Sequence, residues 1–205
     1  MDTESALTGL LGRRSVSPKR LTHPAPSREE LNSMVGAAMR APDHGGLLPW
    51  RVIEFPVETR ANLADLFAAE KLRRDPIASE EDVQRAREHA THAPAVLAFI
   101  VRPQRHPLVP IPEQWLSAGA ALGSILSAAH LLGFGAIVLS GERCQDEPLR
   151  AALGVNGDEI LAGFISIGTI AKPPKPAARP PRDRVWTSWE PSHSVQSTRA
   201  EIPVS

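Results

Sequence analysis

The sequence predicts an α+β domain in which a small central antiparallel or mixed sheet is flanked by helices. Three observations carry that expectation. Residues 94–101 (PAVLAFIV) form a continuous apolar run of strand length, the pattern of a strand covered on both faces. Residues 113–132 keep helical periodicity through an Ala- and Gly-rich stretch that lets neighbouring elements approach closely. The remaining segments fall in the order helices, strand, helices, strand, long helix, strand, helix, strand, with no internal repeat.

Residues 5–11 read as a short helix, with Ala6, Leu7, Leu10 and Leu11 at helical spacing and an Arg-Arg-Ser turn after them. Pro18, Pro24 and Pro26 keep the next connection extended. Ser27 with Glu30 is a capping-box pattern, so a second helix is expected to run to about Arg40, where Pro42 stops it. Residues 50–55 (WRVIEF) alternate as a strand does, and residues 59–71 return to the helical period through Leu63, Leu66 and Phe67. The charged stretch 72–90 reads as a solvated helix or lid, and Pro103, Pro107, Pro110 and Pro112 make a loop of residues 102–112. Gly133 and Gly135, on either side of Phe134, look like the cap of the long helix. A strand over 136–140, a loop over 141–147, a short helix near 149–153 and a strand over 161–167 complete a domain placed at residues 1–170. Residues 171–205 form a Pro-rich extended arm in which Trp186 and Trp189 are expected to pack on something, such as a second subunit, while its last dozen residues are expected to be disordered.

Lys plus Arg total 23 and Asp plus Glu total 23, so there is no global field to recruit nucleic acid or an anionic membrane, and neither is an expected partner. Any anion site must be local. The apolar run 116–132 contains Ser117, Ser124, Ser127 and His130 and reads as a core helix rather than a membrane span. No secretory leader is expected, because Gly9, Gly12, Arg13 and Arg14 break the first apolar stretch. The single cysteine, Cys144, excludes an intramolecular disulfide framework and fits a reducing, cytoplasmic setting. One thiol with no evident His partner is expected to be inert.

Two polar segments, each closing a helix, are the candidates for binding. Arg13, Arg14 and Ser15 suit a phosphate, since guanidinium groups offer bidentate charge-assisted bonds, and they equally suit a helix C-terminus, where cations complement the dipole. Arg40 has the same two readings. His44, in RAPDHGGLLPW (residues 40–50), could act as a base, a metal ligand or a donor to a ligand's ring oxygen, with Asp43 a candidate to fix its tautomer. A metal site is not expected, with one Cys and scattered His. Ser140, Gly141 and Glu142 follow a buried strand, and a glycine there permits close approach of a planar ligand. No GxSxG, P-loop, HExxH or CxxC occurs, and Gly133-Phe134-Gly135 lacks the third glycine of a dinucleotide fingerprint.

Taken in order, RRS (residues 13–15), RAPDHGGLLPW, EQWLSAGAALGSILSAAHLLGFGAIVLSG (residues 113–141) and GFISIGT (residues 163–169) resemble the flavin-dependent nitroreductase family, and most closely its small bacterial NAD(P)H nitroreductases. The resemblance spans roughly residues 5–170. It implies a homodimer with FMN at the subunit interface and extended termini exchanged between subunits. Carried over residue by residue, Arg13, Arg14 and Ser15 hold the FMN phosphate and ribityl chain. Arg40 and His44 contact the flavin, one set of contacts coming from the other subunit, and Leu139, Ser140 and Gly141 lie along the ring. Ala129, His130, Leu131, Leu132, Gly133 and Phe134 match a segment associated with NADH or NADPH. The chain departs from its relatives at Leu139, where the subgroup tends to carry Arg, and at Gly46 and Leu48, where the wider family often carries Asn and Gln. Arg179 and Arg182 are candidates to restore the lost charge. The implied activity is an oxidoreductase that moves hydride from NAD(P)H to FMN and electrons on to a nitroaromatic, quinone or similar acceptor by a ping-pong mechanism. The alternatives are an FMN storage or sensing protein without turnover, or a specialised flavin dehydrogenase or dehalogenase.

Overall fold

β5 (Ile160–Ile170) is the spine of the sheet. The computed structural model describes residues 3–174 and 181–189. β3 (Ala95–Val101) and β4 (Phe134–Leu139) both pair Ile167 of β5, through Ala95 and Ala136, so they lie on its opposite edges. β1 (Leu21–Thr22) and β4 share Thr169 in the same way, which puts β1 on β3's side of the spine, beyond the end of β3. β2 (Trp50–Glu54) pairs the far edge of β3. All these ladders are antiparallel. The one parallel contact among the described residues is an isolated bridge between Ser15 and Ala136, so the sheet is antiparallel rather than mixed.

The two-residue period of β3 sends Val96, Ala98 and Ile100 to one face and Leu97, Phe99 and Val101 to the other, all buried, as the apolar run predicts. On the first face lie α3 (Arg60–Arg74), with α4 (Glu80–Glu88) packed on it, and α6 (Glu147–Ala152), contributing Leu63, Phe67 and Leu149. The second face is covered by α2 (Arg28–Ala38) and α5 (Ile111–Leu131), and α1 (Thr3–Gly12) is laid on α5. The capping box forms as expected. Glu30 donates its backbone N–H to Ser27 Oγ at 3.2 Å, and its carboxylate accepts from Ser27 N at 2.7 Å.

Several boundaries differ from the sequence expectation. α2 ends at Ala38, capped at Met39, and Arg40 belongs to the turn beyond it. α5 begins at Ile111, with Pro112 in its first turn, where a missing N–H leaves no bond unmade. Only Gly133 (φ 89°) caps the long helix, and β4 starts at Phe134 rather than at residue 136. Gly135 is a strand residue chosen for close packing: a Cβ there would come within 2.7 Å of Leu21 Cδ2 and 2.9 Å of Ile170 Cγ1. The stretch 72–90 divides into the end of α3 and the short α4, and Ala86 and Ala90 are buried.

Residues 175–205 form a separate unit. Its described part holds one 3-10 turn at Arg182–Arg184, followed by exposed Trp186 and Trp189. Arg179 and the last dozen residues lie outside the described residues. Among the described residues no helix is long and apolar enough to cross a membrane.

Candidate functional site

The bridge between Ser15 and Ala136, with Val16 N donating to Ala136 O at 3.1 Å, lays the chain leaving α1 against the outer edge of β4. Residues 137–139 continue along that edge with no strand paired to it among the described residues, and the chain turns away at Ser140 and Gly141. A strand edge of this kind offers backbone donors and acceptors to whatever lies beside it. Three extended residues, about 10 Å, separate Ala136 from Leu139. Arg13, Arg14 and Ser15 therefore stand at one end of an open lane, and Leu139, Ser140 and Gly141 at the other. Arg13 N also closes the last turn of α1 on Leu10 O at 3.3 Å, so this segment ends the helix as well as meeting the edge of β4. Gly141 has φ 132°, which only glycine adopts readily, and a Cβ there would meet nothing within 4 Å. The backbone conformation demands the glycine, and the space beside it is open.

Leu139, Ser140 and Gly141 also line a cavity of about 290 Å3. Its other walls include Phe67, Phe164 and Val96, with Arg74, Arg143 and His89 as charged and polar members. Glu70, 1% exposed, ties the two arginines together: Arg74 Nε donates to its Oε1 at 2.6 Å and Arg143 Nε to its Oε2 at 3.0 Å. The Arg143 guanidinium also lies over the Phe67 ring, 3.9 Å from its centroid. Burial alone pushes the Glu70 carboxyl up, but the hydrogen bonds and charges of Arg74 and Arg143 outweigh it and hold the group below its usual range. Cys144 lies beneath this wall, 3% exposed, and burial pushes its thiol up against the smaller opposing pull of Arg143. It is no thiolate nucleophile at neutral pH. Desolvation, followed by the charge of Arg143, pushes the His89 imidazole down, which keeps it neutral there.

The second predicted segment is built from turns. Gly45 (φ 79°) and Gly46 (φ 63°) carry it through the left-handed region, and Leu48 (φ 46°) sits there too, its N–H bonded to Asp43 Oδ2 at 2.7 Å. Asp43 thus stabilises a strained turn and does not orient His44. That task falls to Glu113, whose Oε2 is 2.8 Å from His44 Nδ1 and fixes the ring by its other partner. Arg40 is exposed in the preceding turn.

The two segments lie at opposite ends of α5. His44 is bonded to Glu113 in its first turn, whereas Cβ atoms on Gly9 and Gly12 would meet Leu131 Cδ2 (2.6 Å) and His130 Nε2 (3.4 Å) in its last. At 1.5 Å per residue these ends are about 25 Å apart along the axis. Within one chain, Arg13–Ser15 and Arg40/His44 do not share a small ligand. Of the six residues matched to the nicotinamide nucleotide, Ala129 and Phe134 are buried in the core, His130 is half-buried, and Leu131, Leu132 and Gly133 are exposed at the α5–β4 corner.

Gly163 of β5 backs the open lane. A Cβ on it would lie 2.8 Å from Val138 Cγ1 and 3.0 Å from the Leu139 carbonyl oxygen. Gly163→Ala is expected to displace that strand end at a cost of about 1–3 kcal/mol, the usual range for overpacking. An unaltered urea midpoint would show that β4 yields without cost.

Sequence reasoning missed Glu70, Arg74, Arg143 and Glu113. The first two form an i,i+4 acid–base pair that reads as a solvated helix face, and nothing local reveals that Glu70 points inward to a second arginine 73 residues away. Among the described residues there is no group of three His, Cys, Asp or Glu that could hold a metal ion.

The sequence profile of the nitroreductase family matches residues 10–169. The chain is 34% identical over 167 residues to YdjA of Escherichia coli (strain K12), provisionally named an NAD(P)H nitroreductase, covering 80% of this chain and 87% of that protein. Its fold matches a nitroreductase-like family protein from Bacillus cereus with a TM-score of 0.78 at 21% identity, over 93% of this chain and 98% of the other. A variant of the FMN- and NADPH-dependent nitroreductase NfnB from Sphigopyxis sp. strain HMH matches with a TM-score of 0.69 at 22% identity, over 90% and 98%. The profile spans all of the sheet but the last residue of β5, and both polar segments, and YdjA is alike over 80% of the chain: this chain belongs to the nitroreductase family.

Proposed function

We propose that this chain is an FMN-dependent oxidoreductase that draws electrons from NADH or NADPH and delivers them to a small nitroaromatic, quinone or similar acceptor, donor and acceptor using one pocket in turn by a ping-pong mechanism. The observation that carries this reading is the open lane along β4, with two arginines and a serine at one end and a glycine turn over an open space at the other. That donor set fits a mononucleotide with an anionic end and a planar end. Family membership and the names of YdjA and NfnB support it.

When bound, FMN supplies the two-electron chemistry, accepting a hydride equivalent from the nicotinamide and returning electrons to the acceptor. The chain's own residues bind and orient. Arg13 and Arg14 meet the phosphate with charge-assisted bonds, Ser15 adds a hydroxyl, and the backbone of Leu139, Ser140 and Gly141 lies along the ring. No side-chain nucleophile is needed, in keeping with the buried, protonated Cys144.

Arg40 and His44 reach the flavin from a second subunit, since about 25 Å of α5 separates them from Arg13 in their own. Exposed Leu7, Leu10 and Leu11 on α1, with Leu131 and Leu132 at the end of α5, give that homodimer an apolar face. Residues 1–170 serve as the FMN domain, and the arm over 171–205 wraps the partner, where Trp186 and Trp189 find cover. Of the nicotinamide segment, Leu131, Leu132 and Gly133 are the members exposed to a ligand. A lone cysteine suits the cytoplasm, where we place the protein.

One anaerobic titration tests the core of this. Protein incubated with FMN and desalted is expected to keep a flavin spectrum, and NADH or NADPH to bleach it in stoichiometric amount. A colourless protein overturns the cofactor assignment. A coloured protein that neither nucleotide bleaches overturns turnover and favours storage.

A further inference from the structure

We propose that Glu70 holds Arg74 and Arg143 as a paired guanidinium wall that takes the polar edge of the flavin ring and stabilises the negative charge the ring system carries once reduced. The proposal rests on the FMN reading above.

Four observations converge. First, the two arginines line the same cavity as Leu139, Ser140 and Gly141, the residues placed along the ring. Second, each arginine uses its Nε on a different oxygen of Glu70, so the buried carboxylate anchors both side chains by the same atom and leaves their terminal nitrogens for the cavity. Arg74 Nη1 makes only a long contact there, 3.4 Å to Glu142, a residue whose side chain is 80% exposed. Phe67 under Arg143 further restricts that guanidinium's plane. Third, the two carboxylates are unequal. Glu70 is buried and fixes both guanidiniums, whereas Glu142, which lines the same cavity and brings the formal charge of the four groups to zero, has a side chain 80% exposed, where water and salt screen it. Fourth, the phosphate end of the ligand is already assigned about 10 Å away along β4, which leaves the ring as the part beside this wall. Fixed donors in a partly desolvated site favour whichever redox state carries more negative charge. Arg74 and Arg143 are thus cofactor contacts, and Glu70 is a positioning residue.

The test uses the FMN-loaded full-length chain with Arg74→Gln, Arg143→Gln, Arg143→Lys and Glu142→Gln. Fluorescence titration reads affinity for oxidised FMN, anaerobic potentiometry reads the midpoint, and circular dichroism reads folding. Each Gln replacement of an arginine is expected to weaken the reduced state relative to the oxidised about tenfold, which lowers a two-electron midpoint by about 30 mV. Arg143→Lys keeps most of the parent midpoint, and Glu142→Gln shifts it upward because a competing carboxylate is gone. If Arg143→Gln does not fold, Arg74→Gln, whose side chain is 38% exposed, carries the test. An unshifted midpoint in the folded, FMN-loaded Gln variants overturns the proposal. So does equal weakening of both redox states, which would make the pair a holder of the ring without influence on its charge. A parent protein that binds no FMN at all overturns the cofactor reading instead, and the two failures are told apart by the first titration.

Discussion

Arg60→Met is expected to lower the unfolding free energy by about 3 kcal/mol, a large share of the 5–15 kcal/mol typical of a domain. Arg60 is 6% exposed, and among the described residues its guanidinium pairs with no carboxylate; it donates to backbone carbonyls instead. Nε reaches Phe55 O at 2.7 Å, Nη1 reaches Ala90 O at 2.6 Å and Ala93 O at 3.4 Å, and Nη2 reaches Pro94 O at 3.3 Å. One side chain therefore ties the end of β2 to the segment between α4 and β3. Two of these bonds are short and charge-assisted, worth about 1.5–3 kcal/mol each, and the carbonyls they serve have few other donors. Methionine refills the volume of the stem but supplies no donor. The opposing effect is relief of a buried charge, visible in a guanidinium whose proton affinity burial lowers, with Glu54 pulling the other way. The bonds outnumber that relief, so the net sign is destabilising. Arg60→Lys should lose about half as much, since an ammonium keeps the charge but cannot span the fork of carbonyls. Urea unfolding measures both, and a shift below about 0.5 kcal/mol for Arg60→Met would mean that water replaces the guanidinium.

Arg60 also marks where sequence reasoning stops. Elements whose identity rests on local rules were legible: the capping box at Ser27, the apolar run of β3, the period of α5 and the turn at Gly141. Each is decided by residues within one turn or one pleat of each other. The errors arose where a residue's meaning is set from afar. Gly135 looks like half of a helix cap until Leu21 and Ile170 are seen to press on it from β1 and β5. Asp43 looks like the partner of its neighbour His44, but the chain turns its carboxylate back to Leu48 and brings Glu113 to the imidazole from 69 residues away. Nothing in the sequence singles out Arg60, Glu70 or Arg143, because no local pattern separates a solvated ionic group from one buried with distant partners. The candidate site divides along the same line. The segments Arg13–Ser15 and Leu139–Gly141 were legible as motifs, whereas their alignment on one strand edge needed the Ser15–Ala136 bridge.

That alignment makes the second large effect specific. The double variant Arg13→Gln/Arg14→Gln is expected to weaken FMN binding at least about 100-fold, because each lost charge-assisted bond to phosphate is worth about 1.5–3 kcal/mol and tenfold corresponds to about 1.4 kcal/mol. Glutamine keeps polarity and much of the stem, and the Val16–Ala136 backbone bond that seats the segment does not depend on either side chain. The fold should survive, as a circular dichroism melt would confirm. Because the interaction is with a charged group near the surface, the parent's affinity should fall with added salt and the variant's should depend on salt much less. The phosphate carries the same charge whether the ring is oxidised or reduced, so both redox states should weaken equally and the midpoint should stay where it was. The Arg74 and Arg143 variants predict the opposite pattern, a modest change in affinity with a displaced midpoint. Binding that survives the double substitution intact would move the phosphate off the α1–β4 junction. A displaced midpoint in the same variant would bring the ring, rather than the phosphate, to Arg13.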